Sequence, residues 1–415
     1  MLHPELTADR GRRLAGPALE EAVALAAALP RLDVAGADIV RLSKVQPGLL
    51  FGSGKIEELR ARIEADEIGL VLIDGPVSPV QQRNLERAWK TKILDRTGLI
   101  LEIFADRART REGVLQVELA ALAYQRTRLV RSWTHLERQR GGLGFVGGPG
   151  ETQIEADRRA IDEAVTRIKR QLAKVVKTRE LHRAARKKVP YPIVALVGYT
   201  NAGKSTLFNH LTGAEVLAKD MLFATLDPTM RALKLPDGLE VILSDTVGFI
   251  SSLPTELVAA FRATLEEVLD ADLILHVRDI AHPDSAAQSE DVHKILEALG
   301  VKDERPMIEV WNKLDLLPDA EAEALRTSAA RQDDVLAISA LSGEGFDTLQ
   351  AAISARLTPA LLDEVVIVPF AQGRVRAWLF EQGVVLDESQ DEDGYHLSLR
   401  WSPVQKARFE ALLHA

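Results

Sequence analysis

The 415 residues include no cysteine. Disulfides and thiol chemistry are therefore excluded, which fits a cytosolic setting. Long apolar runs are also missing: none reaches the ~20 residues that a membrane span requires. A secretory signal is not expected, because the apolar stretch Val23–Leu29 is short, Ala-rich and preceded by Glu20 and Glu21. Positive charge is in deficit overall, with a net of −9, but its distribution says more than its sum. Residues 126–188 hold 17 Lys+Arg against 7 Asp+Glu, a net of +10, so the rest of the chain carries −19. A basic module beside an acidic body is implied. The length suggests two to four domains.

What is present centres on Gly198–Ser205, GYTNAGKS. It fits G-x-x-x-x-G-K-[ST], and its context is right: the apolar run Ile193–Val197 reads as a buried parallel strand, and TLFNHL after Ser205 as a helix. In such a loop, Gly198 and Gly203 let backbone N–H groups close on phosphate oxygens beside a helix N-terminus. Tyr199, Thr200, Asn201, Ala202 and Thr206 complete the cradle. Lys204 would reach the β- and γ-phosphates, and the Ser205 hydroxyl would bind Mg²⁺.

Three further stretches follow in order, each at the end of an expected strand. After Val241–Ser244 comes Asp245-Thr246-Val247-Gly248, where Asp245 would hold Mg²⁺ through water and the Gly248 N–H would sense a γ-phosphate. After Met307–Val310 comes Asn312-Lys313-Leu314-Asp315. A carboxylate at Asp315 accepts from the ring N–H and exocyclic amine of guanine. Adenine would leave that acceptor unpaired, at a cost of about 1–3 kcal/mol. After Val335–Ile338 comes Ser339-Ala340-Leu341, whose backbone N–H groups can meet the guanine oxygen. Together the four stretches point to a GTPase.

A switch segment must lie between Ser205 and Asp245. In Leu222–Thr229, LFATLDPT, Thr225 is the expected third Mg²⁺ ligand, since Pro228 stiffens the chain before Thr229. Phe223, Ala224, Leu226 and Asp227 are expected to line the nucleotide with it. The residue after Gly248 is Phe249, which cannot orient water as a glutamine does. Intrinsic hydrolysis is therefore expected to be slow, with Lys204, Thr225, Gly248 and Asn201 as the catalytic set and K⁺ beside Asn201 as a candidate second cation.

Residues 1–111 read as a small α/β domain. Its Gly52-Ser53-Gly54-Lys55 lacks the phosphate-loop spacing and is expected to be a turn before a helix. Over 112–189, Leu115, Leu122, Leu129 and Leu136 recur every seven residues, as do Ile154, Ile161, Ile168 and Val175. Each set makes a one-sided apolar stripe, so the region reads as a helical hairpin of the coiled-coil type. Its arm would be about 39 Å long at 1.5 Å per residue. The tip, 141–150, reads GGLGFVGGPG; it matches G-x-G-x-x-G, but a helix precedes it where that fingerprint needs a strand. Arg138, Arg140, Gly142, Phe145, Arg158 and Arg159 there suit phosphates and stacked bases. Against this stands the ordinary meaning of such arginines, a solvated helix face. The GTPase domain is expected over 190–357 and a small α/β domain over 358–415, where Asp391–Gly394 reads as a hairpin turn.

The combination GYTNAGKSTLFN, LFATLDPT, DTVGFI and NKLD, with GGLGFVGGPGETQIEADRR over Gly141–Arg159, resembles the HflX family of translational GTPases. The N-terminal stretches FGSGKIEEL, SPVQQRNLE and DRTGLILEIFADRARTREGVLQVELA resemble the same family. The resemblance implies a cytoplasmic GTPase that binds the large ribosomal subunit and, in bacteria, splits stalled or idle ribosomes under stress. It would be a monomer using GTP and Mg²⁺. Two other functions stay open: a regulatory switch for a protein partner, and a GTPase assisting RNA modification.

Overall fold

The computed structural model describes the chain except residues 8–13, 140–148, 187–190, 215–221, 224–225, 227–228, 252–266, 302–304, 359–361, 402 and 414–415. For 129–139, 149–154, 176, 178–186, 403–404, 407 and 411 it gives the backbone alone. The chain divides into two units, Met1–Thr348 and Leu349–Ala415.

The first unit begins with a four-stranded parallel sheet of order β2-β1-β3-β4, made by β1 (Leu2–Leu6), β2 (Asp38–Leu42), β3 (Leu70–Ile73) and β4 (Lys92–Asp95). Helices α1 (Ala15–Ala27), α2 (Ser53–Ala65), α3 (Pro79–Trp89) and α4 (Arg96–Arg107) connect and cover it. Local chemistry sets several ends. Ser78 accepts from the Gln81 N–H, and the Gln81 side chain accepts from the Ser78 N–H, a capping box with Pro79 at the first helical position. The 52–55 stretch is the start of α2, with Gly52 as N-cap and Lys55 paired to Glu58 at 2.6 Å. β1 and α1 carried no clear sequence signal. Pro4 sits inside β1, yet β1 meets β3 only at Leu2, so Pro4 lies beyond that ladder.

Two long helices follow, α5 (Arg111–Gln139) and α6 (Pro149–Arg186). They lie side by side, with Arg126 3.0 Å from Asp162 and Ile168 buried.

A six-stranded sheet of order β10-β9-β8-β5-β7-β6 follows, parallel except for β6. Its strands are β5 (Ile193–Gly198), β6 (Thr229–Lys234), β7 (Glu240–Asp245), β8 (Leu273–Asp279), β9 (Met307–Asn312) and β10 (Val335–Ala337). Helices α7 (Lys204–Thr212), α8 (Ser285–Leu299) and α9 (Asp319–Ala329) belong to it, and α10 (Phe346–Leu357) crosses into the second unit. That unit holds an antiparallel sheet of order β11-β13-β12, from β11 (Leu362–Val368), β12 (Val385–Gln390) and β13 (Tyr395–Trp401), with α11 (Gly373–Glu381) and α12 (Pro403–Leu413). Val368, Leu379, Leu397 and Trp401 form its core. Asp391–Gly394 is the β12–β13 turn, closed by Asp391 N–H on Gly394 O at 3.1 Å.

His276, on β8, is 1% exposed, and neither ring nitrogen has a hydrogen-bond partner among the described residues. Burial, then His293 with its ring 5.0 Å away, lowers its pKa from 6.5 to about 3. The folded value lies below the unfolded one. The neutral ring's contribution is therefore intact above pH 6.5 and is lost as pH falls, because the unfolded chain takes the proton first. Between pH 7.5 and 5.5 this group alone should remove ~1.4 kcal/mol of stability. His276→Leu is expected to flatten that slope in urea titrations at the two pH values. An unchanged slope would contradict this role for His276.

Candidate nucleotide site

β5 is buried along nearly its whole length and delivers Gly198 to the carboxyl edge of the sheet. From β5 the chain goes to one side of the sheet, through β6 to β7, and then crosses back to β8 on the other side of β5; open α/β sheets take ligands where the strand order reverses in this way. At Gly198, φ is +151° and a Cβ would lie 2.2 Å from Val277 O. At Gly203, φ is +93° and a Cβ would lie 2.1 Å from Asn312 Nδ2. Both positions are closed to any side chain. Asn201, φ +59°, is also left-handed, a conformation asparagine tolerates better than most residues.

Lys204 opens α7 and is buried; its ammonium donates to Gly198 O at 3.2 Å and Tyr199 O at 2.7 Å. Burial lowers its pKa to about 8, while Asp245 pulls the other way and Lys313 adds to the fall. The Ser205 hydroxyl donates to Asp245 Oδ2 at 2.7 Å. These two oxygen ligands, brought together at the phosphate loop, suit a hard cation such as Mg²⁺, which takes few protein ligands and relies on phosphates and water for the rest. Thr246 is fixed by its hydroxyl on Leu196 O at 2.6 Å, and Val247 is buried. A Cβ at Gly248 would lie 2.9 Å from Thr200 Cγ2 and 3.1 Å from Lys204 Nζ. Phe249 is drawn onto the loop: its N–H donates to Gly198 O at 3.0 Å and its carbonyl accepts from Thr200 N–H at 2.7 Å. Its ring is 1% exposed.

At the other end one amide joins two loops. Asn312 Nδ2 donates to Ala202 O at 2.8 Å, and Asn312 Oδ1 accepts from the Ala340 N–H at 2.8 Å. The Ser339 hydroxyl donates to Asp315 Oδ1 at 2.5 Å and accepts from the Ser342 N–H at 3.1 Å. Asp315 itself is exposed, so its carboxylate is aimed but accessible. Lys313, φ +69°, reaches Asp279 Oδ2 at 2.8 Å. Leu341 and Leu316 stand 74% and 63% exposed at the rim. Sequence reasoning missed Asp279; its place at the carboxyl end of β8, like Asp245 at the end of β7, was the available signal.

The structure thus gathers Gly198–Thr206, Asp245–Gly248, Asn312, Lys313, Asp315 and Ser339–Leu341 at one sheet edge. Phe223 and Leu226 differ from expectation. Their side chains, each 2% exposed, are buried in an apolar core with Leu222 and Phe104, because removing large apolar groups from water outweighs displaying them in a polar cleft. Only their backbone remains for a nucleotide. Ala224, Thr225 and Asp227 lie outside the described residues, as do Arg140, Gly142 and Phe145; Arg138 is described in backbone only. Arg158 and Arg159 are exposed on α6, the latter 3.8 Å from Glu155. No observation among the described residues bears on the K⁺ expectation.

A sheet with its phosphate loop after β5, its acidic ligand ending β7 and its base-reading pair after β9 defines a P-loop GTPase domain. Four family models match along the chain: GTP-binding GTPase N-terminal over 17–105, GTP-binding GTPase Middle Region over 107–186, 50S ribosome-binding GTPase over 193–313, and HflX C-terminal domain over 324–413. The chain is 49% identical to GTPase HflX of Magnetococcus marinus over 409 residues, 99% of this chain and 93% of that protein. It is 47% identical to GTPase HflX of Escherichia coli over 348 residues, 84% and 81% of the two chains. A crystal structure of a GTP-binding protein from Sulfolobus solfataricus in complex with GDP matches at 22% identity and a TM-score of 0.45, over 86% of this chain and 97% of that one. The chain belongs to the HflX family of GTPases. No helix among the described residues is long and apolar enough to cross a membrane.

Proposed function

We propose that this GTPase, in its GTP-bound state, holds the large ribosomal subunit and separates joined ribosomes that are stalled or idle under stress, and that hydrolysis to GDP and phosphate releases it. The observation that carries this is the union, in one chain, of a domain matching the 50S ribosome-binding GTPase model with a basic two-helix segment. Residues 126–188 carry a net of +10 in a chain of net −9, and ribosomal RNA is a dense polyanion. In this reading the domains are 1–111, 112–189, 190–357 and 358–415, and the protein is a cytoplasmic monomer.

Gly198 to Thr206 cradle the phosphates, and Lys204 adds its charge. Asp245 and Gly248 follow the γ-phosphate, and Mg²⁺ supplies charge neutralisation there, held by Ser205, Asp245 and Thr225. Asp315 and the Ala340 N–H read guanine, with Asn312 holding both loops and Lys313, Ser339 and Leu341 completing the wall. Arg138, Arg140, Arg158 and Arg159 meet RNA phosphates, Gly142 allows close backbone approach, and Phe145 stacks on an unpaired base, a contact worth about 1–3 kcal/mol.

Sedimentation of purified ribosomes with protein and a non-hydrolysable GTP analogue tests the first half: co-migration with the large subunit is expected with the analogue and not with GDP. Replacing Leu143–Val146 by a Gly-Ser linker tests the second. Intrinsic hydrolysis should stay within twofold while subunit separation in light scattering slows at least tenfold. Separation at the normal rate would reduce the arm to a scaffold.

A further inference from the structure

Helix α4 touches the arm and both nucleotide-sensing segments at once. Its N-cap, Asp95, accepts from the Gly98 N–H at 2.8 Å, from the Tyr124 hydroxyl at 2.6 Å and from Arg128 Nη1 at 2.8 Å. Tyr124 and Arg128 lie one turn apart on α5, so a single buried carboxylate fastens the base of the arm to α4. Arg128 also donates to Gln82 of α3.

The first residue of α4 faces the other way. Arg96 is 9% exposed and is forked between Asp74, at 2.6 Å, and Glu21. The same guanidinium donates to Ser251 Oγ at 3.0 Å. Ser251 lies three residues beyond Gly248, and its N–H donates to the Tyr199 hydroxyl at 2.8 Å. That hydroxyl in turn donates to Glu21 Oε2 at 2.6 Å. The second residue of the phosphate loop and the segment after Gly248 are therefore held together by one charge cluster of the N-terminal domain. About two turns further along α4, Phe104 meets Phe223 edge to face, with ring centroids 4.6 Å apart and planes at 79°. Phe223 has φ +56°, left-handed for a bulky residue, and stands two residues before Thr225.

We propose that α4 is a positioning element for the GTPase switches: Arg96 sets the segment after Gly248, Phe104 sets the segment before Thr225, and Asp95 carries their displacement to the arm. Exchange of GDP for GTP and reorientation of the arm then form one coupled transition. The proposal rests on the nucleotide assignment above and goes beyond it by naming the connecting part.

The physical case is that none of these contacts yields gradually. A left-handed phenylalanine persists only where surrounding packing over-determines it, so drawing Thr225 toward a γ-phosphate must either free Phe223 from Phe104 or move Phe104 with it. The Ser251 hydroxyl bonds both Arg96, at 3.0 Å, and Glu21, at 3.4 Å, so moving it breaks into a network of buried charges, which favours two discrete arrangements over a continuum. Asp95 and Arg96 are adjacent at the same helix end, so α4 cannot shift at Arg96 and stay fixed at the arm. Coupling of this kind is reciprocal: whatever holds the arm must change the preference for GTP over GDP by the same factor.

The absence of cysteine makes the test direct. Glu163→Cys on α6 and Glu321→Cys on α9, both exposed, take spin labels with no background thiol in the full chain. Their distance distribution is expected to shift between GDP and a non-hydrolysable GTP analogue. Tyr124→Phe combined with Arg128→Met should abolish the shift and change the analogue-to-GDP affinity ratio at least threefold, although neither residue touches the nucleotide loops. Phe104→Leu should abolish the shift from the switch end. A merely structural role would lower the melting temperature without moving that ratio. The proposal is overturned if the labelled wild type gives one distribution in both nucleotides, or if both variants keep the shift and the ratio. Failure of the nucleotide assignment would look different, as a wild type that binds neither fluorescent GDP nor the fluorescent analogue.

Discussion

Asp315→Asn is expected to lower GTP affinity by about two to three orders of magnitude and to raise affinity for xanthosine triphosphate. Each hydrogen bond to a charged group contributes about 1.5–3 kcal/mol, and every 1.4 kcal/mol is a factor of ten in affinity. The carboxylate accepts from two guanine donors. An amide at the same place turns one acceptor into a donor, which faces guanine's amine badly and xanthine's carbonyl well. Ser339 can keep the new side chain aimed, since its hydroxyl now donates to Asp315 Oδ1 and could donate to an amide oxygen as well. The Asn312 links to Ala202 and Ala340 do not involve Asp315, so the phosphate loop should stay in place. Competition of GTP, ATP and xanthosine triphosphate against a fluorescent GDP analogue reads the result. Unchanged GTP affinity in the variant would remove Asp315 from the base pocket.

Lys204→Met should cut nucleotide affinity at least a hundredfold and yet stabilise the nucleotide-free protein. The two effects have one cause. Lys204 is held charged in a buried site, and burial lowers its pKa from 10.5 to about 8. Because the folded value lies below the unfolded one, the unfolded chain binds more protons between those values. Stability of the free protein therefore rises with pH across that window, and at neutral pH the buried charge is a cost. A phosphate chain would repay it; without nucleotide the two carbonyls and the Asp245 charge offset it in part. Both carbonyls keep other donors when the ammonium is gone, Gly198 O from Phe249 N–H at 3.0 Å and Tyr199 O from Ala202 N–H at 3.3 Å. Methionine fills a similar volume, so the nucleotide-free variant should gain on the order of 1–3 kcal/mol, as expected when a buried charge is replaced by a packed apolar group. Thermal melts at pH 7.5 should rank the variant above wild type without nucleotide and below it in saturating GTP with Mg²⁺. A variant less stable than wild type without nucleotide would refute the account of Lys204 as a strained charge.

By itself the sequence determined the parts whose signal is local. The phosphate loop was legible because its glycines answer to backbone geometry: Gly198 and Gly203 sit where a Cβ would lie about 2 Å from another atom. The strands before it and before Asp245 were legible because largely buried strands read as apolar runs. The two arm helices were legible from their seven-residue stripes. Tertiary structure alone decided what those parts touch. Phe223 and Leu226, taken from sequence as nucleotide-lining residues, turn into an apolar core with Phe104, about 120 positions earlier in the chain. Glu21, Asp74, Arg96, Tyr199 and Ser251 carry no shared pattern in sequence, and become one buried network only when two sheets meet. The physical reason is range: backbone strain, capping and periodic burial are settled within a few residues, whereas the pairing of buried charges depends on which surfaces the fold brings together, and distant positions in a sequence carry no record of that.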